Sequence, residues 1–393
     1  MSGLLRQAVL DVHGAVHGYE LSDRSSAGDA VEQVLSQHET LQLADRKHLF
    51  VPASSAIIAG PLQDMVDPQL LVLQFSAVDN DDPALIALML ESMKALHERG
   101  FLLAIDRQAV KRSYADWWPL VSYVKLDRET TASSLIEPVS KFVRTHVGAQ
   151  PIACHVDTKE RFDYLRDLGI QYFQGDWFAR PSRSRTATLK PSQAVVIQLI
   201  NLLRSDAEFE EIEPILKSDP SLAFNLLRAI NASSMGLSCE ITSMRHAVMI
   251  FGRNRLFRWA SMLLTKAREG SAPTVATTAM VRGRMMELIA AELLPPQECD
   301  NAFVTGVFSM LDVMLDMPLD QALSSLALPE AVAEALLYGL GVLAPFLALA
   351  EACERADDER FADVCEQLQL SGHQVNLAHL QALAWAEELA LGW

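Results

Sequence analysis

The sequence predicts an α/β half joined to an all-α half, the first folded as a (β/α) barrel of TIM type and the second as a helical bundle. Three observations carry this. Up to about residue 180, short apolar runs alternate with amphipathic stretches, the signature of serial βα units. From residue 193 onward nearly every segment has helical spacing and strand patterns vanish. Between them lies "ARPSRSRTATLKPSQ" (179–193), which has no apolar period. The expected division is therefore a barrel over 1–182, a linker over 183–192 and a helical domain over 193–393.

In chain order, "QAVLDVHGAVHG" reads as two extended runs turning at His13-Gly14, which leaves Glu20 of "GYELSDR" at the mouth of the second. "LLVLQFS" (70–76) is a strand, "DDPALIALMLESMKALHERG" (81–100) a helix closed by Gly100, and "FLLAID" (101–106) the next strand. The unit repeats with "YVKLD" (123–127), a helix over 134–147, "PIACHVD" (151–157), a helix over 159–169 and "IQYFQGDWFA" (170–179). Such a series favours a parallel sheet or a closed barrel. After the linker, helices are expected over segments such as "AVVIQLINLLRS", "FEEIEPILKS", "PSLAFNLLRAINAS", "MRHAVMIFG", "RNRLFRWASMLLTKA", "AFVTGVFSMLDVML", "PEAVAEALLYGL" and "VNLAHLQALAWAEELAL". No repeat of solenoid length runs through them.

A chain of 393 residues suits two domains, each able to bury its own core. Its net charge of -17 argues against a general nucleic-acid coat and leaves room only for a local basic face. No secretion signal is read at the N-terminus. The long uncharged apolar stretch between Glu334 and Glu351 is too short and too glycine-interrupted to insert into a membrane. Cys154, Cys239, Cys299, Cys353 and Cys365 lack metal or disulfide spacing, which fits a reducing cytoplasm.

The polar residues ending the strands are Gln74, Asp106, Asp127 and Asp157, with Glu20 closing the hairpin before them. In a (β/α) barrel the C-terminal strand ends form the working face, so these side chains would converge on one pocket. An Asp after a strand also commonly caps the next helix, and for any one position that reading stands beside the first. In the second half, 245–268 carries Arg245, Arg253, Arg255, Arg258, Lys266 and Arg268 with no acid, whereas from 301 to 393 Arg355 and Arg360 face a long series of Asp and Glu. The basic segment is either a docking face, with Arg253, Arg255 and Arg258 as its candidates, or a helix face answered by the acidic C-terminal region; the second is favoured.

Gln7 ahead of Asp11, "GYELSDR", "IDR" (105–107), "KLD" (125–127), "ACHVDT" (153–158) and "FQGDWFARP" (173–181) follow one another as the motifs of the EAL domain do, and the first half resembles that family of cyclic di-GMP phosphodiesterases. "KSDPSLAFNLLRAINASSMGLSCEITSMRHAVMIFGRNRLFRW" (217–259) is similar to the HDOD domain, a helical relative of the HD phosphohydrolases. The pairing of the two resembles a known bacterial signalling architecture.

The resemblance implies a metal-dependent phosphodiesterase site, and the sequence departs from it. Glu20, Asp106, Lys125 and Asp127 match family positions. Pro52 stands at the Asn position, "VLQFSA" has no acid where a strand-end Glu belongs, Arg107 replaces the second Asp of a pair, and in "ACHVDT" Cys154 and Asp157 replace two glutamates. A cation in place of a ligand repels a dication, and a thiol is a soft donor ill suited to Mg²⁺. In the helical half Ser309 and Met310 occupy the positions of the His-Asp pair, and His246, His373 and His379 have no spacing that rebuilds it.

The expectation is thus a chain that is not an enzyme and holds no cofactor or metal: a signalling scaffold in a cyclic di-GMP-related pathway of motility, adhesion or biofilm control, acting through other signalling proteins. The alternative is a sensor that binds cyclic di-GMP without cutting it through Gln7, Glu20, Arg24, Asp106, Arg107, Lys125, Asp127, Asp157 and Pro181, with Arg107 pairing to a phosphate. Glu20 and Arg24 pairing with each other, and Lys125 pairing with Asp106 or Asp127, are the structural readings of the same residues. An active phosphodiesterase and nucleic-acid binding are disfavoured, and a homodimer through the barrel is compatible with the family.

Overall fold

The computed structural model describes residues 5–22, 47–54, 58, 67–127, 135–179, 191–205, 207–218, 248–249, 252–265, 273–355 and 357–392. Strands β1 (Leu5–Leu10), β2 (Val16–Ser22), β3 (His48–Pro52), β4 (Leu71–Phe75), β5 (Leu102–Asp106), β6 (Tyr123–Leu126), β7 (Gln150–Ala153) and β8 (Tyr172–Phe173) bond in chain order into a closed barrel. β1 runs antiparallel to both of its neighbours and every other pair is parallel. The β1–β2 turn is built as the sequence suggests: Gly14 takes φ 74, and the Asp11 carboxylate accepts the N–H groups of His13 and Ala15.

Three α-helices of the barrel half are described. Asp82 caps α1 (Pro83–Glu98) by accepting the Ala84 N–H, and Thr158 caps α3 (Lys159–Asp167) by accepting that of Arg161. The helix expected over 134–147 is α-helical only as α2 (Ile136–Phe142), after which Val143–Val147 widens into a π turn that ends at Gly148, φ 79. The segment after β5 forms 3₁₀ turns, Arg107–Ala109 and Arg112–Leu120, pinned by the fully buried Tyr114 and Trp117.

Period-two alternation decides what enters the barrel. Phe50, Val72, Ala104, Tyr123 and Ile152 form one interior cluster, and two residues further along their strands come Pro52, Gln74, Asp106, Lys125 and Cys154. Gly18 on β2 permits this packing, since a Cβ there would lie 2.4 Å from the His48 carbonyl oxygen. Glu20 follows two residues later.

The remaining described helices are α4 (Pro191–Arg204), α5 (Phe209–Ser218), α6 (Arg253–Leu264), α7 (Pro273–Leu293), α8 (Pro296–Phe308), α9 (Leu311–Leu315), α10 (Leu319–Ser324), α11 (Glu330–Tyr338), α12 (Ala344–Arg355), α13 (Asp358–Leu368) and α14 (Gly372–Gly392). α10 and α13 were not singled out by spacing. "PSLAFNLLRAINAS" and most of "MRHAVMIFG" lie outside the described residues. Among the described helices, none is long and apolar enough to cross a membrane.

By contacts the chain divides into two compact units. One comprises 1–180, 272–277 and 348–393, and the other 181–271 and 278–347. In the second unit α4 packs on α5 and α6, and α8 on α6 and α11. α7 meets α8 where Gly283 and Gly306 face each other; a Cβ on Gly306 would lie 2.5 Å from the Gly283 backbone. In the first unit the C-terminal helix reaches the barrel: the Tyr19 hydroxyl donates to Glu387 Oε1 at 2.7 Å, and Lys47 Nζ stands 3.8 Å from Glu387 Oε2.

Candidate dinucleotide cleft

At the C-terminal strand ends lies a cleft of about 280 Å³ lined by Glu20, Pro52, Gln74, Asp106, Gln108, Lys125 and Asp127, among others. Lys125 Nζ donates to both Glu20 oxygens, at 2.6 and 2.7 Å, and Gln174 Nε2 donates to Oε2 at 2.5 Å. Burial alone would raise the Glu20 pKa; the Lys125 charge and these hydrogen bonds outweigh it and hold the carboxylate below its ordinary value. Burial likewise pulls Lys125 down, and the Glu20 charge reverses the sign and raises it. Both groups are ionised at neutral pH. The Gln74 amide faces the same carboxylate but closes no hydrogen bond of good geometry.

The other acids of the cleft are also engaged. Asp106 Oδ2 accepts the Ala77 N–H at 3.0 Å and Oδ1 accepts that of Ala109 at 3.1 Å, so this carboxylate ties the β4 loop to the turn after β5. Asp127 Oδ2 lies 3.3 Å from Nδ1 of His155, a residue with φ 54. Cys154 Sγ donates to Gln174 Oε1 at 3.2 Å, and burial pushes its thiol up to about 12, so it is no thiolate. Among the described residues no group of three or more His, Cys, Asp and Glu side chains is placed to hold a metal ion.

Glu20, Asp106, Lys125 and Asp127 are brought together as the sequence suggests, with Gln7 beside Glu20 in the β1–β2 register. Lys125 pairs with Glu20 rather than with Asp106, whose carboxylate accepts two backbone N–H groups, or with Asp127, which faces His155. Gln108, not Arg107, lines the cleft beside Asp106; Arg107 is half-buried in the 3₁₀ turn. Asp157 is half-buried beyond β7, and Arg24 and Pro181 lie outside the described residues. Sequence reading passed over Gln174, although it stands two residues after the interior-facing Tyr172 and the same alternation points to it.

The EAL domain profile matches residues 30–181 and the HDOD domain profile matches residues 189–316. The chain carries an EAL domain followed by an HDOD domain. It thereby has the two-domain EAL–HDOD signalling architecture. It is similar to the cyclic di-GMP phosphodiesterase CdgJ of Vibrio cholerae, 25% identical over 98% of this chain and 92% of that protein. It is also similar to the protein YuxH of Bacillus subtilis, 24% identical over 88% of this chain and 86% of that one. Among solved structures, the EAL domain of Mycobacterium smegmatis DcpA is 16% identical, covers 44% of this chain and 90% of its own, and gives a TM-score of 0.37.

In the helical half, Ser309 follows the last residue of α8, where its hydroxyl accepts from Arg282 Nη1 at 2.6 Å, and Met310 is buried. A hydroxyl and a thioether thus stand at the two positions that the resemblance assigns to the His-Asp pair. Arg258 is bound internally: its guanidinium is bidentate to Glu287 and lies 4.0 Å from the centre of the Phe303 ring. Arg255 is exposed on the same helix and Arg253 is half-buried. Arg245, His246, Lys266 and Arg268 lie outside the described residues.

Proposed function

We propose that this EAL–HDOD chain is a non-catalytic scaffold in a cyclic di-GMP-related bacterial pathway and works through contacts with other signalling proteins. The observation that carries the reading is that every carboxylate lining the described cleft is already committed: Glu20 to Lys125 and Gln174, Asp106 to two backbone N–H groups, Asp127 to His155. A hard dication needs several oxygen donors on one centre. Here an ammonium occupies the glutamate that would lead such a set, and Pro52, Gln74 and the neutral thiol of Cys154 fill the positions around it, so the donor set does not fit Mg²⁺ or Mn²⁺.

The named activity of the Vibrio cholerae relative points the other way, towards hydrolysis. At 25% identity it weighs less than the residues of the cleft themselves.

A second reading keeps the cleft in use as a cyclic di-GMP sensor. It is favoured by the Gln74 Nε2 atom, buried and unbonded at the cleft wall, and by the Lys125 ammonium, two donors of the kind a phosphodiester takes. Calorimetric titration of the full chain with cyclic di-GMP separates the readings. The scaffold reading expects no saturable heat at high micromolar ligand. The sensor reading expects saturable heat, lost on Gln74→Leu, with the dinucleotide recovered intact afterwards.

A further inference from the structure

We infer that the turn between α11 and α12, residues 337–342, is a docking surface for a basic amphipathic segment of a partner protein. The inference rests on the scaffold reading and names the kind of partner it takes. Leu337, Tyr338, Leu340 and Val342 are 39, 70, 63 and 46% exposed, four large apolar side chains within six residues. Scattered apolar residues on a surface need no explanation, whereas a cluster such as this marks a contact site.

The exposure is built into the turn. Gly339 takes φ 64 and closes α11 with its N–H on the Ala335 carbonyl, while the Leu340 N–H bonds to the Glu334 carbonyl at 3.3 Å. In a cap of this kind the residue after the left-handed glycine usually folds back on the last helical turn. Leu340 stays out in solvent, and Gly341 turns the chain again at φ 81. The flanks are anchored, since Val332 and Leu343 are fully buried and Ala335 and Phe346 are 2% exposed. A loop fixed at both ends that still presents its apolar side chains is pre-organised for a partner, which lowers the ordering cost of binding.

Charge chooses the partner. From 301 to 354 the chain has no Lys or Arg, and the helix leading into the turn carries Glu330 and Glu334. A second copy meeting this turn with its own would bring the same acids and repel; a segment with apolar residues on one face and Lys or Arg beside them meets both the apolar turn and its acidic border. The surface lies C-terminal to the residues that match the HDOD domain.

The test is fluorescence anisotropy on the full chain with a labelled Leu/Lys amphipathic peptide about fourteen residues long, against the same peptide with Glu for Lys. Saturable binding of the Leu/Lys peptide is expected, weakened at least about tenfold by Leu340→Ser with Val342→Ser and, separately, by Glu330→Lys with Glu334→Gln. Leu340 and Val342 are on the exposed turn and Glu330 and Glu334 on the helix that leads into it, and an unchanged circular dichroism melt confirms folding. The inference is overturned if the peptide does not bind, if either double variant binds as tightly as the parent, if the Glu peptide binds equally well, or if sedimentation shows a dimer that Leu340→Ser with Val342→Ser dissolves. Consumption of cyclic di-GMP would remove the non-catalytic reading and leave this readout untouched, so the two can fail separately.

Discussion

Lys125 and Glu20 face each other across the barrel mouth from β6 and β2, 105 residues apart in the chain, and each is the other's reason for being charged. Lys125→Met leaves the carboxylate buried without its counter-ion, and breaking such a pair costs about 3–5 kcal/mol. Glu20→Gln added to that variant should recover much of the loss, as measured by urea unfolding at neutral pH. The pH dependence follows by sign. Glu20 has a folded pKa below its ordinary 4.5, so its contribution is present above 4.5 and is lost as pH falls through the lowered value. Lys125 has a folded pKa above its ordinary 10.5, so its contribution is present below 10.5 and is lost as pH rises through the raised value. In Lys125→Met burial is opposed by the Gln174 hydrogen bond without the Lys125 charge, so the Glu20 pKa should rise and this variant should gain stability on mild acidification where the parent does not. The residues of this cluster were legible as strand-end polar groups. Their pairing was not, because alternation tells which side chains point inward and not which strand stands opposite.

At the level of elements, α7 and α8 approach so closely at Gly283 and Gly306 that neither tolerates a side chain. Gly306→Ala gains helix propensity but forces a methyl into the Gly283 backbone, and overpacking of this kind costs about 1–3 kcal/mol. A lowered thermal midpoint is expected; a raised one, as propensity alone would give, contradicts the geometry. Gly148→Ala is the contrast, since nothing lies within 4 Å of its Cβ and only its φ of 79 opposes the change. Helix existence was legible from spacing, as in α1 and α4, because the 3.6-residue period is a property of the segment itself. The π turn at Val143–Val147 was not, being a local widening that leaves the apolar pattern nearly unchanged. Two residues of β8 pair in the sheet where the apolar run suggested a longer strand, as Gly175 turns the chain against the Val156 backbone.

For the molecule as a whole, the succession of βα units was enough to predict a barrel, and its closure rests on the β1–β8 pairing at Leu10 and Phe173. Residue spacing does not show that 348–393 group with the barrel unit, since a helix reads alike whatever it packs against. The Tyr19–Glu387 hydrogen bond now sits on the residue before Glu20, which links the C-terminal helix to the strand that carries the cleft's central carboxylate. The central claim is that the chain does not hydrolyse cyclic di-GMP. The most direct measurement is the rate at which the purified full chain converts cyclic di-GMP to its linear dinucleotide in Mn²⁺, followed by chromatography beside a Glu20→Gln control. The account predicts no conversion above that of the control. Steady Mn²⁺-dependent conversion by the parent chain, abolished by Glu20→Gln, would contradict it.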